Sequence, residues 1–367
     1  MPASDTPQKP GLIGLDIGHH NLHLCQLRAQ GPRHYSIIAK SSVPFDVDRQ
    51  QLLDDPKTFK RYLARAIKGK SFKGRKITAI MPPDEVRIML LTYKASVSDV
   101  EQEVVRMLSQ RVDGDIRDYV IDYLPVRTNS SDEEHIVMAS VARRDKVERL
   151  LNTLTRAGLQ VHSLDTGPSA LRRLISVLYT EDKTSNVLLI NTGDETSYLT
   201  IVSGRRLLFD QPVKFGCRQI LQEIANTLEI DIDKARQLVS QHGFVTASKD
   251  PKSVGLLSPS DISQTLLEIA KPTFLHLIDE INRVLIYTAS ETHGVPLSRV
   301  SLLGCLARWP GAQDLMMSLL DIEVEKHHIE FHEVFRDESE VTAPWIDQFP
   351  EMAIATGLAL RGLQQDE

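Results

Sequence analysis

The chain has 367 residues, of which 41% are hydrophobic and 25% charged, with a formal net charge of −6. That length and composition suit a globular chain of about two domains or several subdomains, able to bury a sizeable core. The mild acidity argues against a global basic field for nucleic acid, and the absence of any run near 18 apolar residues argues against a membrane-spanning helix.

In chain order, residues 12–17 read as a strand broken by Gly18, with a second strand from Leu22 and a third over 34–43. A helix over 56–68 carries Phe59, Leu63 and Ile67 on one face, and a strand over 76–81 ends at Pro82-Pro83. Basic runs at 68–70 and 73–76 read as solvated loop. Strands are predicted over 86–94 and 136–141. Between them Ser98 and Glu101 form a capping box for a helix with Val104, Val105, Leu108 and Val112. Residues 129–134 are a polar loop, and a helix over 146–157 stops at Gly158.

Strands follow at 186–191, 197–202 and 206–213, then a helix at 216–228, a stop at Gly243 and a polar loop at 246–258. A long helix over 272–292 shows Leu275, Ile278, Ile281, Leu285 and Ile286 at helical spacing, read as core. A strand over 299–303 closes the set.

Three strands, a helix and a strand therefore occur twice. Asp16, Gly18 and Asn21 align with Asn191, Gly193 and Thr196, since 191 − 16, 193 − 18 and 196 − 21 all give 175. A repeat at a fixed offset implies a duplicated, two-lobed α/β fold, with one glycine hairpin from each lobe at the floor of a cleft. Such hairpins suit phosphate, because glycine lets backbone N–H groups converge on an anion and an acidic residue before the turn can hold magnesium. One Asp-x-Gly is a weak pattern and by itself an ordinary turn.

In this order the motifs resemble the PilM family of type IV pilus assembly proteins, within the actin-like (ribonuclease H-like) ATPase superfamily. The likeness runs from about Gly11 to Leu363. It rests on Gly14-Leu-Asp-Ile-Gly18, Phe215-Gly216-Cys-Arg-Gln219, Val137-Met-Ala-Ser-Val-Ala-Arg143, Leu164-Asp-Thr-Gly-Pro168 and Ala355-Thr-Gly357-Leu-Ala-Leu-Arg-Gly362. It implies a first lobe over 11–83, completed by 162–183 and 345–367, with an inserted α+β subdomain at 84–161. It also implies a second lobe over 184–214 and 297–344, with a mainly helical insertion at 215–296. The family uses the inserted subdomain to dock the cytoplasmic N-terminal peptide of an inner-membrane PilN-like protein, so a scaffold role is expected. Met1 to Pro10 lack the apolar core of a signal peptide, and a cytoplasmic location is expected, with the membrane reached through that partner.

The resemblance assigns a nucleotide site for ATP with magnesium to Asp16, Gly18, His19, His20, Asn21, Asn191, Gly193, Asp194, Thr196, Gly304 and Cys305, with Asp16 as the metal ligand. The pattern is eroded. Asn191 stands where such ATPases have aspartate, His19 and His20 replace small hairpin-tip residues, and Cys305 with Leu306 replaces glycines and would obstruct the adenosine loop. Feeble hydrolysis or none is expected, and no catalytic residue is assigned. His19, His20 and His23, and separately His327-His328, lack zinc-site spacing. Cys25, Cys217 and Cys305 are odd in number and far apart, which argues against a disulfide framework and for a reducing compartment. The alternatives are an active ATPase of the FtsA type and a small-molecule kinase sharing the two-lobed core.

Overall fold

The computed structural model describes residues 9–127, 133–178, 186–203, 206–244, 259–291, 297–322, 324–325, 334–339 and 345–363. The predicted loop at 246–258, most of the one at 129–134, and His327-His328 lie outside the described residues. The first strand, β1 (Ile13–Ile17), is buried at every position, as a strand covered on both faces must be. Gly14 is a packing requirement there: a Cβ would stand 2.0 Å from the carbonyl oxygen of Ala355. Next come β2 (Asn21–Gly31) and β3 (His34–Pro44), each antiparallel to the strand before it, and the short α1 (Arg49–Asp54). Helix α2 (Pro56–Ile67) has sound local cause: the Asp55 side chain accepts from Lys57 N and Pro56 fills the first turn. Strand β4 (Lys76–Ile80) then pairs parallel with β1.

Residues 86–143 build a separate antiparallel sheet in the order β5-β7-β6, from β5 (Val86–Lys94), β6 (Tyr119–Arg127) and β7 (Glu134–Arg143). Helix α3 (Val100–Ser109) covers one face, closing a small core of Leu91, Tyr93, Val104, Leu108, Val137 and Val141. Its cap is Asp99, which accepts from Gln102 N at 2.9 Å, and not the expected Ser98. Helix α4 (Arg144–Arg156) turns back to pack Leu150 and Leu154 into the first-lobe core with Leu53 and Phe59, and β8 (Gln160–Asp165) joins β4 in parallel.

Helix α5 (Gly167–Leu178) leads to the second lobe: β9 (Asn186–Thr192), β10 (Ser197–Ser203), β11 (Arg206–Val213), α6 (Cys217–Leu228) and α7 (Ile232–His242). These are followed by α8 (Pro259–Glu291), β12 (Leu297–Gly304), α9 (Ala312–Leu320), β13 (Val324–Glu325), β14 (Phe335–Asp337) and α10 (Trp345–Ala359). The predicted helix over 272–292 is longer than expected, running through Pro272. Its buried apolar residues include Leu266, Ala270, Phe274, Leu277, Ile278, Ile281 and Val284. Leu275 and Ile286, read from spacing as core, are exposed at 45% and 73%.

The two large sheets repeat one topology: β14-β3-β2-β1-β4-β8 in the first lobe and β11-β10-β9-β12-β13 in the second. The register repeats as well, because Asp16 faces His23 across the first ladder and Asn191 faces Tyr198 across the second. Helices α5 and α10 lie between the sheets. Leu171, Leu174, Met352 and Ala355 share one core with Leu27 and Ile37 of the first lobe and Leu189 and Val202 of the second. Among the described residues no helix is long and apolar enough to cross a membrane.

Candidate functional site

The two glycine hairpins do meet across the cleft. In the first, Gly18 N donates to Asn21 O at 3.0 Å, which points His19 and His20 outward. In the second, Gly193 lies against the carbonyl of Thr196, leaving Asp194 and Glu195 at the tip. His19 Nε2 stands 3.6 Å from Glu195 and His20 Nε2 stands 3.4 Å from Asp194. Burial and the Arg49 guanidinium hold the His19 imidazole below its usual value, while Glu195 opposes them. Behind the first hairpin Asp16 is 7% exposed, and burial raises its carboxyl against the pull of His23 and Arg49. Arg49 is itself buried; Nη2 pairs with Asp84 at 2.6 Å and Nη1 has no partner.

The second-lobe wall is tied to itself. The first N–H groups of α6 donate to the hairpin, Cys217 N to Gly193 O at 3.0 Å and Arg218 N to Asp194 O at 2.9 Å. Cys305 N donates to Thr192 O at 3.0 Å and Leu306 N to Thr192 Oγ1 at 3.0 Å. Gly304 adopts φ +80 with its Cα against Thr192, a position only glycine fills without strain. Leu306 does not obstruct the cleft as expected, being fully buried in the second-lobe core.

Two of the three cysteines nevertheless pair. Cys217 and Cys305, 88 residues apart, form a disulfide, and Cys25 is the free thiol among the described residues. Folding brings the start of α6 and the loop after β12 together over one hairpin, a proximity that spacing along the chain does not reveal.

A magnesium-bound triphosphate would need converging donors and carboxylates on both walls. The first wall retains an unpartnered guanidinium nitrogen. The second wall has the N–H groups of Cys217, Arg218, Cys305 and Leu306 already bonded, an uncharged Asn191, and a tip in contact with the facing histidines. In this arrangement the residues do not fit that ligand.

A larger opening lies between the first lobe and the inserted sheet, a groove of about 900 Å³. One side is the end of the β2–β3 hairpin with Arg33 and Tyr35, together with Ser169, Arg173 and Ser176 of α5. The other is mainly β6, an edge strand of its sheet, whose Val120, Asp122 and Leu124 share one face by the two-residue period, with Ser140 and Ala142 of β7 beside it. Asp165 at the base accepts from Arg361 at 2.8 Å and from Arg173. Sequence reasoning missed this groove because its walls come from distant segments; the motif Leu164-Asp-Thr-Gly-Pro168 supplies Leu164, Asp165 and Thr166 to it without revealing the rest.

A second cavity of about 300 Å³ lies where both lobes and the inserted sheet meet, lined by Ile80, Ile88, Met89, Pro168, Leu171 and Pro212 with Asn191, Tyr198 and Asp210. Asp210 accepts from Thr200 Oγ1 at 2.5 Å through one oxygen, while the other is buried without a partner. Burial raises its carboxyl to about 7.

Comparison with known proteins bears on the fold and the family. The chain superposes on a chain described as "PilM-PilN type IV pilus biogenesis complex" with a TM-score of 0.75, at 20% identity, covering 97% of this chain and 99% of that one. It also superposes on the ethanolamine utilization protein EutJ from Carboxydothermus hydrogenoformans with a TM-score of 0.52, at 12% identity, covering 97% and 91%. No curated protein sequence matches. The fold is the actin-like one, duplicated and two-lobed. A family model described as "Type IV pilus assembly protein PilM" matches residues 14–363, nearly the whole length, and the chain belongs to that family.

Proposed function

We propose that this chain is a scaffold of a type IV pilus-like assembly system that holds the cytoplasmic N-terminal peptide of an inner-membrane PilN-like protein. The observation that carries this is the groove beside β6. An extended peptide can lie along an edge strand, with backbone pairing for affinity and alternate side chains for specificity. The arginine-rich opposite wall suits peptide carbonyls and carboxylates. The likeness to a PilM–PilN complex supports the same partner. A peptide that is disordered before docking loses conformational entropy, so micromolar affinity is expected, about 8 kcal/mol. Magnesium-bound ATP has no part in this reading, and the chain reaches the membrane from the cytoplasm through its partner.

Calorimetry with the N-terminal peptide of the PilN-like protein from the same cell tests the reading. Binding should persist without ATP and disappear when the first residues of the peptide are deleted. Val120→Arg, a change at an exposed groove position, should weaken binding at least tenfold, whereas His19→Ala should leave it unchanged. Absence of peptide binding, or equal binding by Val120→Arg, removes the groove from the proposal.

A further inference from the structure

The three cysteines differ in their chemistry. Cys25 is fully buried, and burial pushes its thiol up to about 12, so it is inert. Cys217 is 1% exposed at the first position of the 12-residue α6. Cys305 is half-buried in the loop after β12, its sulfur 3.2 Å from Gly193 O and 3.4 Å from Thr192 O. Of the two bonded residues Cys305 is the more exposed.

We propose that Cys217–Cys305 is a thiol–disulfide exchange site, reduced through Cys305 by a dithiol, and that its reduction unfastens the second hairpin and loosens the contact between the lobes. The thiolate of the dithiol attacks Cys305 Sγ, a new S–S bond forms, and the Cys217–Cys305 bond breaks. Cys217 leaves as a thiolate at a helix N-terminus, where the aligned peptide dipoles favour negative charge. The second thiol of the reductant gives up its proton and attacks the mixed disulfide. The dithiol departs as a cyclic disulfide, two electrons have passed to the protein, and the two protons released by the dithiol are available to Cys217 and Cys305.

The structural consequence follows from what the bond fastens. Without it, the start of α6 is held over the hairpin by one hydrogen bond each to Gly193 and Asp194, and the loop after β12 by two to Thr192 at the end of the β9–β12 ladder. Asp194 and Glu195 of that hairpin face His20 and His19, so loosening on one wall reaches the other lobe.

The test uses the full chain, first oxidised and then treated with dithiothreitol without denaturant. Alkylation with iodoacetamide and mass spectrometry should show Cys217 and Cys305 modified and Cys25 unmodified. With oxidised glutathione, the Cys217→Ser variant should take glutathione on Cys305, and the Cys305→Ser variant should take none on Cys217. Hydrogen exchange at 192–196 and 304–306 should be at least tenfold faster in the reduced chain, with 13–17 unchanged. The Cys217→Ser/Cys305→Ser variant should behave as the reduced chain without any reductant. A bond that yields only after denaturation, or glutathione on Cys217 instead of Cys305, overturns the exchange assignment. Equal hydrogen exchange in both redox states overturns the unfastening.

Discussion

Asp210 concentrates the energetic cost of the second lobe in one side chain. Its carboxyl has one hydrogen-bond partner, Thr200, in the wall of a mostly apolar cavity, and burial raises it to about 7 against the pull of that one hydrogen bond. An acid whose folded value lies above its unfolded value holds its proton more tightly when folded. The contribution is therefore fully present below about pH 4 and is lost as pH rises to about 7, a change of up to about 4 kcal/mol. Asp210→Asn keeps the shape, removes the ionisation, and should gain stability relative to the native chain between pH 5 and pH 8 by a few kcal/mol. Urea denaturation of both proteins at the two pH values measures this; a pH-independent difference would mean that Asp210 titrates normally. No sequence pattern marked Asp210, because its burial arises from Pro212, Pro168 and Ile88, brought together from three units.

Element boundaries were legible wherever local chemistry decides them. The repeated strand order, the start of α2 at Pro56, and the stop of α7 at Gly243 all stand in short stretches of sequence. Strand β6 was not legible: Pro125 and alternating polar residues suit a sheet edge, and only its pairing with β7 identifies it as a strand. The buried stripe of α8 was misjudged because Leu275 and Ile286 fit the helical period yet face away from the lobe. The capping error is local and testable. Asp99→Ala should cost about 1 kcal/mol, whereas Ser98→Ala should change stability by less than about 0.5 kcal/mol, as read from denaturation midpoints. The disulfide was hidden for the same reason as the groove, since both join distant segments. Closing 88 residues restricts the unfolded chain, so the Cys217→Ser/Cys305→Ser variant should be less stable by up to about 4 kcal/mol under oxidising conditions. A variant as stable as the oxidised chain would show that the bond constrains little in the unfolded state.

At the scale of the whole molecule, two lobes of one ancestral design face each other across hairpins that touch. Phosphoryl transfer depends on positioning phosphates and metal between walls that converge on them. Here one carboxylate, Asp16, is buried opposite His23 with its carboxyl raised, and the equivalent position of the second lobe is Asn191. Restoring that charge alone should not restore activity. Asn191 lines the cavity that already holds Asp210, so Asn191→Asp would place a second acid where burial has raised the first, and the tips would still meet through His19 and His20. Steady-state phosphate release from ATP with magnesium should therefore be feeble for both the native chain and Asn191→Asp, far below the roughly 10 per second of a typical enzyme. Adding His19→Gly and His20→Gly to Asn191→Asp removes the bulk at the first tip and isolates the effect of the contact. Native turnover near that typical rate would show that the lobes separate readily and that the hairpins work as a nucleotide site. A rise only in the triple variant would locate the block at the histidine contact.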